Sequence, residues 1–86
     1  MIKLVKFSAD WCAPCRAMVP IIEGLRAEFP EVDFVEIDVE EEPKIAQQFN
    51  VRSLPTFVLL KDGEIMAQRI GAASRAELVL MIEQAK

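Results

Sequence analysis

The order of apolar and polar positions along the chain predicts four strands and three helices. Strands are expected where apolar residues alternate or run together, at 2–7, 32–39, 56–60 and 65–70. Helical spacing of apolar residues marks three other segments, at 13–29, at 41–49 and after Ser74. The order β-α-β-α-β-β-α predicts an α/β fold with a four-stranded mixed sheet flanked by three helices.

The first predicted helix has one apolar stripe and one irregular position. Its stripe consists of Met18, Ile21, Ile22, Leu25 and Phe29. Pro20 lies inside the helix, where it has no N–H to donate to the backbone ladder. We therefore expect the helix to bend at Pro20 without necessarily ending there.

Turn and capping residues set the boundaries of the later elements. Asn50 is a plausible C-terminal stop for the second helix. Asp62-Gly63 predicts a tight antiparallel hairpin between the last two strands. Ser74 and Glu77 have the spacing of a capping box. The apolar positions of the final helix are Leu78, Met81, Ile82 and Ala85.

Length, composition and charge restrict the classes of function. The 86 residues, 52% hydrophobic and 28% charged, are expected to form one domain over 1–86. A net charge of −4 with scattered basic residues argues against nucleic-acid binding. Segment 1–7 is too short for a signal peptide, and no run reaches the ~18 apolar residues of a membrane span. We expect a cytoplasmic, monomeric protein, provided that the chain is complete.

The acidic run 36–42 is interpreted as a strand end that leads into a solvated helix start. The sequence therefore predicts no metal site there.

Cys12 and Cys15 are the two cysteines of the chain, three positions apart at the start of the first helix. A disulfide over so short a distance would constrain almost nothing in the fold. A zinc site normally needs four ligands, and the chain has no His and no further Cys. We favour redox chemistry; a structural disulfide, a partial metal site and accidental spacing remain as alternatives.

The position at a helix start favours a reactive thiolate at Cys12. Unpaired backbone N–H groups and the helix dipole can lower a cysteine pKa from about 8.5 toward about 7. Cys12 is therefore the predicted exposed nucleophile, and Cys15, one turn deeper, the predicted resolving thiol. Pro14 is expected to hold the helix start rigid. Ala13-Pro14 adds no positive charge, which predicts a reducing protein nearer about −270 mV than about −180 mV.

The residues that carry chemistry resemble the thioredoxin family in order and spacing. They are Trp11-Cys12-Ala13-Pro14-Cys15-Arg16, Pro20, Leu54-Pro55-Thr56, Asp62-Gly63 and Gly71. The resemblance covers nearly the whole chain, beginning at what is usually the family's second strand. It implies a thioredoxin-like fold that lacks the usual N-terminal strand and helix. Ala13 departs from the Gly most common in thioredoxins.

The resemblance implies a function and its partners. The function is thiol–disulfide oxidoreduction by a protein disulfide reductase, an electron-transport role in cell redox homeostasis. The implied partners are disulfide-containing protein substrates and a recycling reductase such as thioredoxin reductase. The resemblance implies no cofactor beyond a redox-active disulfide between Cys12 and Cys15.

A substrate-binding surface around Cys12 is also implied by the resemblance. Pro55 resembles the family's cis-proline, which presents backbone groups to an extended substrate; an ordinary trans-proline turn is the alternative. The implied apolar rim consists of Trp11, Ala13, Pro14, Leu54, Gly71 and Ala72.

Lys6 and Glu36 depart from the family pattern. The family usually places a buried Asp in the strand before the cysteines and a Lys opposite it in the next parallel strand, and here the two charges are exchanged. Our hypothesis is that Glu36, directly or through water, accepts the proton of Cys15, with Lys6 as its partner. The alternative is that both extend to solvent or form a structural ion pair, because unpaired charges in a covered sheet are costly.

Two other functions compete with the thioredoxin-type reductase. One is a glutaredoxin-like oxidoreductase recharged by glutathione, favoured by the short chain but not by Trp11 or by the absence of Tyr. The other is a thioredoxin-fold binding module or assembly subunit with an incidental dithiol. Turnover of glutathione mixed disulfides would identify the first, and activity retained without both cysteines would identify the second.

Overall fold

A computed structural model describes residues 1–86. Its strands are β1 (Ile2–Ser8), β2 (Val32–Asp38), β3 (Thr56–Lys61) and β4 (Glu64–Ile70). Its helices are α1 (Ala13–Ala17), α2 (Val19–Glu28), α3 (Pro43–Gln48) and α4 (Arg75–Ala85). With α1 and α2 counted as one broken helix, the predicted order of elements is confirmed.

The four strands form one sheet in the order β2-β1-β3-β4. β1 pairs with β2 in parallel and with β3 in antiparallel orientation, and β3 pairs with β4 in antiparallel orientation. The parallel pair follows from the helical crossover between β1 and β2, and the last antiparallel pair from the hairpin. The predicted mixed sheet is confirmed, and β1, which leads into the cysteines, lies in its interior.

The larger hydrophobic core lies between the sheet and the helices α2 and α4. It consists of Leu4, Met18, Ile22, Leu25, Phe29, Val32, Phe34, Phe57, Leu59, Ala73, Leu78, Ile82 and Ala85. The stripes predicted for the first and last helices both lie here, with Ile21 and Met81 partly buried at the margin. Burial of these side chains supplies the main driving force that fixes the helices on this face.

The opposite face of the sheet packs against α3. A smaller buried cluster here consists of Val5, Phe7, Ala46 and Val58. The side chains of Val35, Ile37 and Val39 pack against it, which confirms that the three share one face. The sheet is therefore apolar on both faces around β1, and a charged side chain on β1 requires a partner.

The helix predicted over 13–29 is interrupted near Pro20, where a bend was expected. Met18 separates α1 from α2, two residues before Pro20. In an unbroken helix the ring of Pro20 would clash with the carbonyl of Arg16, and Pro20 has no N–H to donate to it. The Met18 N–H donates instead to the Cys15 carbonyl at 3.1 Å, a tighter turn that ends α1.

The predicted hairpin and capping box are confirmed. Asp62 and Gly63 both have positive φ angles, 52° and 85°, as a two-residue hairpin turn of type I′ requires. The Ser74 hydroxyl accepts a hydrogen bond from the Glu77 N–H at 3.1 Å, and the Glu77 carboxylate accepts one from the Ser74 N–H at 2.9 Å. These bonds fix the start of α4.

The second predicted helix is shorter than expected. α3 covers Pro43–Gln48 rather than 41–49. The N–H groups of Glu40 and Glu41 are instead bound by the Asp38 carboxylate in a turn after β2, at 2.8 and 3.4 Å. Asn50, with φ 56°, lies just beyond α3 as the predicted stop.

None of the helices has both the length and the apolar character that a membrane span requires.

Candidate active site

The two cysteines lie where the chain leaves β1 and enters α1. Cys12 is the N-cap of α1, and Cys15 lies in its first turn. Their Sγ atoms are joined in a disulfide, with the Cα atoms 5.3 Å apart. The Cys15 N–H donates to the Cys12 Sγ at 3.2 Å, so this sulfur occupies the place of a capping oxygen. Pro14 lies in the first turn, where its missing N–H leaves no helical bond unmade.

This geometry favours a thiolate on Cys12 once the disulfide is reduced. An N–H that already points at the sulfur stabilises negative charge there, and the first turn adds the positive end of its aligned peptide dipoles. The lower the pKa of the thiol, the larger the fraction of thiolate that can attack a disulfide near neutral pH. The arrangement therefore supports nucleophilic thiol chemistry at Cys12.

The prediction that Cys12 is exposed is wrong for the disulfide form. Cys12 is 4% exposed and Cys15 2% exposed. The Cys12 sulfur is bonded to Cys15 and turned toward the first turn of α1, which removes it from the surface. Trp11, directly before it, is 66% exposed. The accessible feature next to the disulfide is thus the indole.

The loop before β3 has the conformation that the resemblance implies. The Leu54–Pro55 peptide bond is cis, so the trans alternative is wrong. The Pro55 carbonyl accepts a hydrogen bond from the Gly71 N–H at 2.8 Å, which brings two predicted rim segments together. The Thr56 hydroxyl donates to the Ser53 carbonyl at 2.6 Å and holds the loop at the start of β3.

Only part of the predicted rim lines a single groove. Trp11 and Leu54 lie in an open groove of about 460 Å³, here called the Trp11 groove, whose other members are Val39, Val51, Arg52 and Ser53. Ala13, Pro14 and Ala72 are exposed at the surface. Sequence reasoning missed the other four members, although three of them directly precede Leu54 in the chain.

The segment between β4 and α4 is held by a polar network that sequence reasoning also missed. The Arg69 guanidinium lies 2.6 Å from the Glu77 carboxylate and 3.5 Å from the Ala72 carbonyl. The Ser74 N–H, with the Ser74 hydroxyl and Arg69 adding to its effect, holds the pKa of Glu77 below its usual range. The network ties the Gly71-Ala72 segment to the start of α4.

Lys6 and Glu36 face each other across β1 and β2, as predicted. Lys6 is 3% exposed, and its Nζ lies 3.0 Å from the Glu36 Oε2. The same Nζ donates to the Cys15 carbonyl at 2.8 Å. The Glu36 side chain is 57% exposed, so the pair runs from the interior to the surface. Extension of Lys6 to solvent is therefore wrong, and its burial is offset by two polar partners.

A cleft of about 220 Å³, here called the Lys6 cleft, joins this pair to Cys15. It is lined by Lys6, Ser8, Ala9, Asp10, Cys15, Arg16, Val19, Glu36 and Asp38. The structure thus brings the predicted residues Lys6 and Glu36 to Cys15, and the Lys6 cleft gives this region access to water. The Cys, Asp and Glu side chains form no group of three or more able to hold a metal ion.

Comparison with known proteins identifies the family of the chain. The family model Thioredoxin matches residues 1–84. The chain belongs to the thioredoxin family. The structure of the thioredoxin from Fasciola hepatica has a TM-score of 0.93 at 38% identity, over 99% of this chain and 81% of that one. The predicted thioredoxin-like fold is confirmed.

Named thioredoxins are also similar in sequence. The thioredoxin of Chlamydia trachomatis is 36% identical over 81 residues, 94% of this chain and 79% of that protein. Thioredoxin-2 of Pyricularia oryzae is 49% identical over 69 residues, which are 80% of this chain but 40% of that protein. Thioredoxins are disulfide oxidoreductases, and the Trp11-Cys12 to Cys15 motif fits their active site. The predicted class of activity is confirmed, and these relatives give the glutaredoxin-like alternative no support.

Proposed function

We propose that this member of the thioredoxin family is a protein disulfide reductase whose Cys12 and Cys15 dithiol gives two electrons to disulfide-containing protein substrates. The observation that carries the proposal is the disulfide at the start of α1, whose first sulfur accepts the Cys15 N–H. A bond between residues three apart adds little to stability and is well placed for exchange.

The reaction proceeds by two thiolate attacks. The Cys12 thiolate attacks one sulfur of the substrate disulfide, and the other substrate sulfur leaves as a thiolate. The Cys15 thiolate then attacks the Cys12 Sγ, which closes the protein disulfide and releases the second substrate thiolate. Both leaving thiolates take up protons from water. A separate reductase, such as thioredoxin reductase, returns two electrons to the disulfide, which is the only redox group that the cycle requires of this chain.

The substrate is proposed to bind along the rim beside the disulfide. The residues assigned to it are Trp11, Ala13, Pro14, Leu54, Pro55, Gly71 and Ala72. The exposed indole and the Trp11 groove support this assignment, because an aromatic ring supplies a large apolar contact at low entropic cost. Backbone groups around the cis-Pro55 loop are proposed to pair with an extended substrate segment.

Glu36 is proposed to accept the proton of Cys15 during resolution, through water in the Lys6 cleft. The support is that Glu36 and Cys15 line the same cleft and that the Glu36 carboxylate is half exposed. A Glu36→Gln protein is expected to resolve the mixed disulfide more slowly, with a changed pH profile. An unchanged rate and profile would remove Glu36 from the proton transfer.

We also propose that residues 1–86 form one domain, that the protein is a monomer and that it is located in the cytoplasm. The net charge of −4 with no concentration of basic residues supports protein rather than nucleic-acid partners.

Reduction of insulin by dithiothreitol tests the proposed function. The wild-type chain is expected to accelerate it, and Cys12→Ser to remove the acceleration by a factor of about 10³ or more, because no nucleophile remains. Cys15→Ser is expected to accumulate a mixed disulfide on Cys12. Equal acceleration by wild type and Cys12→Ser would refute the proposal. A wild type active only on glutathione mixed disulfides would favour the glutaredoxin-like function.

A further inference from the structure

Lys6 is the one buried charged residue of the chain. Among the buried residues, the other polar ones are Ser8 and Thr56. An ammonium group in a covered sheet loses most of its hydration, so its retention requires compensating contacts. Its contacts are the Cys15 carbonyl at 2.8 Å and the Glu36 carboxylate at 3.0 Å. One of the two partners of this ammonium is thus the backbone of the resolving cysteine.

The Cys15 carbonyl accepts hydrogen bonds from two donors. It lies at the break between α1 and α2 and takes the Met18 N–H in a tight turn at 3.1 Å. Lys6 adds a second, charged donor at this point. The contact therefore holds the main chain of Cys15 in place, and it puts a positive charge 2.8 Å from the carbonyl oxygen of the residue that carries the sulfur.

We propose that the Lys6 ammonium is a fixed positive charge that stabilises the Cys15 thiolate, so that Lys6 is a positioning residue for the resolution step. The inference rests on the proposed function, because the charge matters to catalysis only if Cys15 reacts. It assigns to Lys6 a role separate from proton acceptance by Glu36.

The asymmetry of the ion pair determines the sign of the effect on Cys15. The Lys6 ammonium is buried, whereas the Glu36 carboxylate is 57% exposed. Water and salt screen the exposed carboxylate more strongly than the buried ammonium. The field at Cys15 is therefore dominated by the positive member of the pair.

The other charged groups around Lys6 do not reverse this sign. Across β3, Lys6 pairs with Phe57, which carries no charge. Asp10, Arg16 and Asp38 line the Lys6 cleft together with Glu36. On the α2 side, Glu23 and Arg26 line a second pocket with Lys6, and their opposite charges pair with each other at 3.6 Å. Of all these side chains, Glu36 is the one in an ion pair with Lys6. The charges of the others are screened by water at the surface.

The proposed effect acts on one defined step. The electron pair of the Cys15 thiolate forms the bond to the Cys12 Sγ, and the bond between Cys12 and the substrate sulfur breaks. That sulfur leaves with the bonding pair as a thiolate and takes a proton from water. The proton lost earlier by Cys15 passes to water or to Glu36. Lys6 neither gains nor loses a proton or an electron in this step.

Titration of the Cys15 thiol tests the inference without any substrate. In a Cys12→Ser background, thiolate formation is followed by ultraviolet absorbance from low to high pH. Lys6→Met, which keeps the length of the side chain but not its charge, is expected to raise the Cys15 pKa by about one unit, a tenfold smaller thiolate fraction below the pKa. Glu36→Gln is expected to shift the pKa in the opposite direction, because it removes the negative partner.

Lys3→Met is the matched control. It removes the same charge from the same strand, at a residue that pairs with Asp33 rather than with Glu36. The control is expected to leave the Cys15 pKa unchanged within a few tenths of a unit. A Lys3→Met shift as large as that of Lys6→Met would show that only net charge acts, and it would overturn the inference.

Substitution of Lys6 decides between a charge that acts on Cys15 and a purely structural ion pair. A folded Lys6→Met protein with an unchanged or lowered Cys15 pKa overturns the inference and leaves a structural ion pair. If circular dichroism shows that Lys6→Met does not fold, Lys6→Gln, which keeps N–H donors without the charge, is titrated instead: a raised Cys15 pKa supports the inference, and an unchanged or lowered one overturns it. Failure of wild type in the insulin assay would instead refute the proposed function, since thiol ionisation is measured independently.

Discussion

The Trp11 groove and the Lys6 cleft each include or adjoin a residue of the same disulfide, but their linings differ in polarity. The Trp11 groove is open and largely apolar, with an indole 66% exposed beside the cis-Pro55 loop. The Lys6 cleft is mainly polar and has a buried ammonium bonded to the Cys15 carbonyl. We propose that the first region binds a partner and that the second sets the charge near Cys15, so that recognition and thiol activation are separable in this chain.

Substitution of Phe57, opposite Lys6 in the sheet, is expected to give the largest effect. This residue is fully buried in the larger core, and on β3 it pairs with Lys6. Phe57→Ala is expected to lower the free energy of unfolding by about 3–5 kcal/mol, because it leaves a cavity next to β1. Urea denaturation followed by circular dichroism measures this. Ile65→Ala, at an exposed position on the same sheet, is the control. It should change the free energy of unfolding by no more than about 0.5 kcal/mol, because little apolar surface is lost from the core.

A loss below about 1 kcal/mol in Phe57→Ala would contradict the role of Phe57 in the larger core.

Trp11→Ala separates the Trp11 groove from the Lys6 cleft. It is expected to raise the KM for a protein substrate about tenfold, because an exposed aromatic anchor is lost, while the Cys15 pKa stays the same. Steady-state reduction of insulin and thiol titration measure the two quantities. Lys6→Met is the reciprocal variant, expected to move the Cys15 pKa but not the KM. A Trp11→Ala protein that changes the pKa and not the KM would break the comparison.

Ser74→Ala tests the support of the second rim segment. Loss of the cap at the start of α4 is expected to lower the free energy of unfolding by about 1 kcal/mol. Urea denaturation is again the measurement, with Ser53→Ala as the control because its carbonyl, not its hydroxyl, takes the recorded bond from Thr56. Equal stability of Ser74→Ala and wild type would show that the capping box contributes nothing.

The pH dependence of stability is expected to show the smallest effect. The Ser74 N–H holds the pKa of Glu77 below its usual value in the folded chain. Its contribution is therefore fully present above the pKa of the unfolded chain and is lost as the pH falls through the lower folded pKa. The urea midpoint of Glu77→Gln should fall less than that of wild type between about pH 6 and about pH 3. Glu64→Gln, on the surface of β4, is the control, and a Glu77→Gln profile identical to wild type would contradict this linkage.

Local signals predicted the elements better than the Trp11 groove or the Lys6 cleft. Asp62-Gly63 and the Ser74–Glu77 box act within a few residues, so their geometry is readable from the sequence. The cis bond before Pro55 followed from the resemblance. The bend near Pro20 was predicted, but the end of α1 at Met18 was not. The ring of Pro20 would clash with the carbonyl of Arg16, four residues earlier, so the helix is interrupted before the proline rather than at it.

The burial of Cys12 and the contact between Lys6 and Cys15 depend on tertiary structure. Cys12 was expected to be exposed as the nucleophile, but the disulfide turns its sulfur toward α1. The cross-strand position of Lys6 and Glu36 followed from their alignment with the family. The bond from Lys6 to the Cys15 carbonyl depends on how α1 lies over β1, and no short-range pattern encodes it.

The equilibrium reduction potential of the Cys12–Cys15 pair tests the central claim most directly. It is measured against defined glutathione buffers by the fluorescence of Trp11, the only Trp of the chain and next to the disulfide. A value below about −240 mV is the expected result and agrees with a thioredoxin-type reductase. A value above about −200 mV would contradict the account, because electrons would then flow from substrate thiols to this disulfide.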